Sequence, residues 1–346
     1  MRIGIVGLPS SGKTSLFKAL IGNNIQTSFD KPNIGSVKVI DKDLYKLSEA
    51  FNPKKTTPAE ITFVDIPGIP SGIENKKRRN EIFSAIRKVD ALVEVIDAFS
   101  GTNDLEDAIA TFDSDLILMD LDVVERRIER LQKEKRDQKK ERELTILEKC
   151  KGMLENERPL SELNLSEEEI NDIRSFEFFT LKPILYVVNI SDADIEAKEK
   201  LKKMVKNVIS DRYDAIVVPV ELELELSELS EGEKEEFLSS YGLEKPILPE
   251  FIDASYDLLG YETFYTVGED EVKAWTIKKG TNTRKAAGKI HSDIERGFIA
   301  AEVISYKDFE SVDFSFKEAK TKGLLRIEGE DYIVKNKDIV HFRFNV

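Results

Sequence analysis

The chain has 346 residues, a formal net charge of −14, 40% hydrophobic residues and 34% charged residues, enough for two or three soluble domains. No apolar run approaches the ~18 residues a transmembrane helix needs, and the lone cysteine, Cys150, excludes an internal disulfide and points to the cytoplasm. The acidic balance argues against a surface that coats nucleic acid, so neither DNA nor a membrane is an expected partner.

The first element is a strand over residues 2–6, which leaves no room for a signal peptide. It runs into Gly7-Leu8-Pro9-Ser10-Ser11-Gly12-Lys13-Thr14, followed by Ser15 and a helical pattern of Leu16, Phe17, Ala19 and Leu20. This is G-x-x-x-x-G-K-T in the strand–loop–helix context of a P-loop. The glycines let backbone N–H groups turn inward as an anion nest, and the helix aims its positive end at the same place. Lys13 is expected to reach the β- and γ-phosphates, and the Thr14 hydroxyl to ligate Mg²⁺.

Further apolar runs follow at 34–40, 60–66, 90–97, 183–190 and 215–220, with helical patterns between them. Near-continuous apolar strands suit a parallel sheet covered on both faces, so the fold class is α/β, a doubly wound P-loop domain. The third run ends in Asp65-Ile66-Pro67-Gly68. An aspartate there can hold the magnesium water shell, and the Gly68 N–H can sense the γ-phosphate. The fifth run ends in Asn189-Ile190-Ser191-Asp192, where GTPases carry N-K-x-D. Asn189 is expected to brace the P-loop and Asp192 to accept hydrogens from the base, while Ile190 replaces the lysine whose stem covers it.

Between about 121 and 181 the alternation stops. Leu121, Val124, Ile128 and Leu131 are spaced as a seam, residues 132–143 hold nothing apolar, and the seam resumes at Leu144, Leu147 and Leu154. The pattern predicts two antiparallel helices with a charged tip, inserted in the α/β domain. After about residue 262, "TFYTV", "VKAWTI", "AEVIS" and "DIVHFRFNV" read as strands around one helix, a small α+β domain. This tail carries 15 basic and 14 acidic residues, so its net +1 leaves −15 on the remainder. Lys278, Lys279, Arg284, Lys285 and Lys289 crowd one acid-free stretch, a candidate RNA contact. The other concentrated basic surface is the hairpin tip at Lys135, Arg136, Lys139 and Lys140.

The segments "GIVGLPSSGKTSLFKAL", "FVDIPGI", "KPILYVVN", "VKAWTIKKGT", "AAGKIHSDIERGFIAAEVISY" and "DIVHFRFNV" together resemble the YchF / Obg-like ATPase family of Obg-related P-loop GTPases. The resemblance covers nearly the whole chain. It implies a nucleotide domain over 1–120 and 182–262, a coiled-coil insert over 121–181 and a ubiquitin-like β-grasp TGS domain over 263–346. It further implies Mg²⁺-dependent hydrolysis, often of ATP over GTP, and association with ribosomes or ribosomal RNA.

Some residues depart from the family pattern. Ser10-Ser11 stand where Asn-Val is usual. The switch segment "SFDKPNIG" looks about two residues short, so the Mg²⁺-binding threonine has no clear counterpart and Thr27 is a poor one. Asp192 stands where glutamate accompanies ATP, which leaves ATP and GTP both open. The fifth motif reads Pro219-Val220-Glu221, and the only histidines, His291 and His341, lie in the C-terminal domain. Ile69 occupies the place of the water-orienting glutamine of many GTPases, as it does in the family, so turnover is expected to be slow. Cys150 falls near the hairpin seam and reads as packing.

Overall fold

The computed structural model describes residues 2–68, 76–99, 104–135, 137–209 and 213–345. Ile69 and Arg136 lie outside them. By internal contacts the chain forms two units, residues 1–35 with 62–251, and residues 36–61 with 252–346.

The first unit is built on a six-stranded sheet ordered β2-β4-β1-β5-β6-β7. Its strands are β1 (Arg2–Val6), β2 (Asn33–Lys38, whose first three residues belong here), β4 (Glu60–Asp65, whose last four belong here), β5 (Ala91–Asp97), β6 (Ile184–Asn189) and β7 (Asp214–Val218). From β4 to β7 all pairs are parallel. Every residue of β6 is buried and so are the first six of β5, the pattern of central strands covered on both faces. β2 alternates between half-buried and exposed, because it lies at the sheet edge. The covering helices are α1 (Lys13–Ile21), α3 (Lys76–Arg87), α4 (Leu105–Lys133), α5 (Gln138–Glu155), α6 (Glu167–Ile173), α7 (Lys198–Val208), α8 (Val220–Leu226) and α9 (Glu231–Ser240).

The inserted hairpin starts earlier than its seam implies. α4 is one helix of 29 residues and belongs to two cores. Its N-terminal half sends Leu105, Ile109, Phe112 and Leu116 into the core beside β5 and β6. Its C-terminal half sends Val124, Ile128 and Leu131 against Leu147, Cys150 and Leu154 of α5. Cys150 is buried in that seam, and burial pushes its thiol up to about 11, away from thiolate chemistry. The return of the insert is fixed by buried Asp120, which accepts hydrogen bonds from the Phe179 and Thr180 amides at 3.0 and 2.8 Å.

The second unit has a mixed sheet ordered β11-β10-β12-β8-β9-β3. It contains β3 (Lys55–Thr57), β8 (Tyr261–Thr266), β9 (Glu271–Lys278), β10 (Phe298–Ser305), β11 (Arg326–Glu328) and β12 (Asp338–Phe344). Its helices are α2 (Lys42–Phe51), α10 (Leu248–Leu258, whose last seven residues belong here), α11 (Thr283–Ile290), α12 (Ser292–Arg296), α13 (Tyr306–Glu310) and α14 (Phe316–Thr321). Residues 36–61, expected within the nucleotide domain, fall here because β3 pairs parallel with β9, Lys55 opposite Glu271. Four helical segments follow β9 where one helix was expected; three of them have only five or six residues, too short for a periodic signal. Phe264, Ile277, Ala286, Val303 and Val340 form its core.

Candidate functional site

The carboxyl ends of β1, β4, β5 and β6 meet at one edge of the first sheet, where β1 lies between β4 and β5 and the strand order reverses. Ligands of open α/β sheets bind at such a point. The loop after β1 has the backbone a phosphate cradle needs. Gly7 and Gly12 have φ of +135° and +98°, and Ser10 has φ of +65°. A Cβ on Gly7 would overlap the Val95 carbonyl, and one on Gly12 the Asn189 side chain. Gly68 meets the same loop from the other side, where a Cβ would lie 2.9 Å from the Pro9 nitrogen.

Lys13 opens α1 and is buried, with Nζ donating to the Leu8 carbonyl at 2.5 Å. Burial pushes its pKa down to about 8, against the pull of the nearby Asp65 carboxylate. Such an ammonium lacks a full countercharge, which a phosphate would supply. Beside it, Thr14 Oγ1 donates to Asp65 Oδ2 at 2.9 Å. Asp65 is itself buried at the end of β4. Among the described residues no cluster of three His, Cys, Asp or Glu is placed to hold a metal. Mg²⁺ needs none, since it takes one or two protein oxygens plus waters and phosphates, and the Thr14–Asp65 pair fits that donor set.

Asn189 ends β6 and connects three segments. Its Nδ2 donates to the Ser11 carbonyl at 3.2 Å, and its Oδ1 accepts from the Val220 amide at 3.3 Å. Ile190 is buried in the core of the unit, so its side chain is packing and offers no face to a base. Asp192 is exposed and, with Phe99, Glu221, Leu222, Glu225 and Tyr241, lines a small cleft. Its carboxylates are suited to amino and ring N–H donors of a purine. Phe99, Glu225 and Tyr241 carry no motif; only their position beyond strand ends could have signalled them.

A residue that the sequence reading passed over also reaches this site. Asn33, at the start of β2, donates from Nδ2 to Asp65 Oδ2 at 2.9 Å, the oxygen that Thr14 also uses.

The basic stretch lies in the second unit. Lys278 ends β9, Asn282 caps α11 by accepting from the Lys285 amide at 3.0 Å, and all five cations are exposed. Two of them are engaged, Arg284 with Glu330 at 2.9 Å and Lys285 with Glu295 at 2.7 Å. That lowers the charge offered to phosphates and leaves Lys278, Lys279 and Lys289 as its main source.

The family described as 50S ribosome-binding GTPase matches residues 2–151, and the C-terminal family of YchF GTPases, described as a protein of unknown function, matches residues 261–345. The ribosome-binding ATPase YchF of Bacillus subtilis is 40% identical, over 99% of each chain. The chain belongs to the YchF family. The Haemophilus influenzae YchF, also named a ribosome-binding ATPase, is 40% identical over 100% of this chain and 99% of its own. The solved YchF GTPase of Schizosaccharomyces pombe superposes with a TM-score of 0.87 at 30% identity, over 99% of this chain and 97% of that one. The YchF assignment fits an α/β P-loop GTPase fold with mixed sheets.

Proposed function

We propose that this YchF protein is a Mg²⁺-dependent ATPase or GTPase with slow intrinsic turnover that associates with the ribosome or its RNA. The observation that carries the reading is the hydrogen bond between Thr14 and Asp65 at the mouth of the P-loop, 2.9 Å long. In this reading residues 7–15 wrap the phosphates, Lys13 neutralises them, and Gly68 offers its N–H to the γ-phosphate. Thr14 and Asp65 hold Mg²⁺, which when bound neutralises charge building up between the β- and γ-phosphates. Asn189 keeps the loop in shape and Asp192 meets the base. Segments beyond the nucleotide domain, a coiled-coil insert at 121–181 and a TGS-type β-grasp domain at 263–346, report the nucleotide state to the ribosome, to which Lys278, Lys279 and Lys289 contribute contacts. The names of the relatives support the ribosomal partner.

Calorimetry with ATP and with GTP in Mg²⁺ tests the first half. Affinities within about tenfold of each other are expected, since Asp192 accepts from guanine while Ile190 gives the base no cover. Absence of binding to both would refute the proposal. Single-turnover hydrolysis with and without ribosomes tests the second half. A nucleotide-gated binding module that scarcely hydrolyses is the alternative, favoured by the two histidines both lying in the C-terminal domain. A GTP-specific factor is favoured by Asp192.

A further inference from the structure

We propose that Asn33 is a positioning residue that fastens the switch segment 28–33 to the magnesium aspartate, in a segment whose sequence offers no clear threonine ligand. The proposal rests on the Mg²⁺–nucleotide reading of the Thr14–Asp65 pair.

The Asn33 carboxamide uses both its ends. Its Nδ2 donates to the Ser28 carbonyl at 3.1 Å and to Asp65 Oδ2 at 2.9 Å. Its Oδ1 accepts from the Ser28 amide at 2.7 Å. One side chain therefore closes the six-residue loop and ties the closed loop to the carboxylate that also receives the Thr14 hydroxyl. Two neutral donors on one oxygen fix the plane of the carboxylate, and hydrogen bonds to a charged acceptor are the stronger kind. An alanine could not make these bonds. An aspartate would keep the acceptor for Ser28 but present a second carboxylate to Asp65.

The far side of the loop has a weaker anchor. Arg78 of α3 donates to the Phe29 carbonyl at 3.3 Å and pairs with Asp30 at 3.2 Å. Both partners of that ion pair are well exposed, so salt screens it. The Asn33–Asp65 bond is partly buried and is screened much less. The segment is thus held chiefly at the magnesium end, and its tether does not require the loop to supply a ligand to the metal.

The test uses the full chain. Amide hydrogen exchange of residues 28–33, measured without nucleotide, is expected to accelerate about tenfold or more in Asn33→Ala and much less at Ser28 in Asn33→Asp. The Mg²⁺ concentration that half-saturates nucleotide retention is expected to rise about tenfold in both variants, while nucleotide affinity in EDTA stays put. Unchanged exchange in Asn33→Ala would overturn the tether. Faster exchange with an unchanged Mg²⁺ requirement would overturn the positioning role. If the wild-type chain retains no nucleotide, the nucleotide reading fails and with it the role toward Mg²⁺, while the exchange measurement still decides the tether.

Discussion

Asn189 occupies the space that any side chain on residue 12 would need. A Cβ on Gly12 would fall inside contact distance of Asn189 Nδ2, and the same amide nitrogen donates to the Ser11 carbonyl next door. The positive φ of Gly12 and the reach of Asn189 are therefore two views of one constraint. Gly12→Ala should abolish nucleotide binding, because it combines backbone strain with a displaced asparagine. Asn189→Ala should instead leave the loop open at one point and weaken nucleotide binding by about 1–2 kcal/mol, through lost hydrogen bonds alone. Titration calorimetry on the two variants separates these outcomes.

Lys13 gives a pH signature. Burial holds its folded pKa at about 8, below its ordinary value of 10.5. Between those values the unfolded chain binds the proton more readily than the folded one. Stability therefore bears a charging cost below pH 8 that is relieved as the pH climbs toward 10.5. A bound polyphosphate should raise the pKa again. Nucleotide binding at pH 8 should then take up about half a proton per site, read as a dependence of binding enthalpy on the ionisation enthalpy of the buffer. Lys13→Ala should abolish both the uptake and the turnover with the circular dichroism spectrum unchanged.

The geometry at the two P-loop serines favours the Asn-Val pair that the family resemblance leads one to expect there. Ser10 has φ of +65°, a region that asparagine tolerates better than serine does. Ser11 is 1% exposed, and its Oγ has no hydrogen-bond partner among the described residues. A valine there would bury only apolar atoms. Ser10→Asn should gain a few tenths of a kcal/mol and Ser11→Val about 1 kcal/mol in chemical denaturation, with nucleotide affinity kept. Loss of stability in Ser11→Val would show that the cavity around that hydroxyl is too small for two methyl groups.

What was legible in the sequence follows from how local the information is. Residues 7–15 and Asp65 come together through one strand, one turn and a neighbouring parallel strand, and short motifs encode all three. The apolar runs of β5 and β6 gave away the sheet because both faces are covered. Asn33 was invisible because one asparagine in a loop carries no periodic signal; only the bond to Asp65, 32 residues away, gives it meaning. The three-residue strand β3 was equally silent, since its partner β9 lies more than two hundred residues on. The early start of α4 was hidden for another reason. Asp113 and Asp115 interrupt its apolar face, and both turn out to be half-buried rather than fully solvated.

Half-buried Asp113 stands beside a fully buried acid of the α/β core, Glu94, and the pair sets the last prediction. Glu94 on β5 is 1% exposed, and its Oε2 has no hydrogen-bond partner among the described residues. Asp113 on α4 stands near it, accepting from the Tyr186 hydroxyl at 3.3 Å. Burial first, and then the neighbouring Asp113, drive the Glu94 carboxyl well above its ordinary range, while burial lifts Asp113 to about 6. A raised acid binds its proton more tightly in the folded chain than in the unfolded one. Its contribution is therefore least costly near pH 4 and becomes more unfavourable as the pH rises toward the folded value. Over that window the cost grows by about 1.4 kcal/mol per pH unit for each such carboxyl. Glu94→Gln carries no titrating proton and should escape the cost. Its melting temperature should exceed that of the wild type by more at pH 8 than at pH 5. An equal difference at both values would mean that Glu94 is ionised in the folded protein and that water or a cation reaches it from the side of α4.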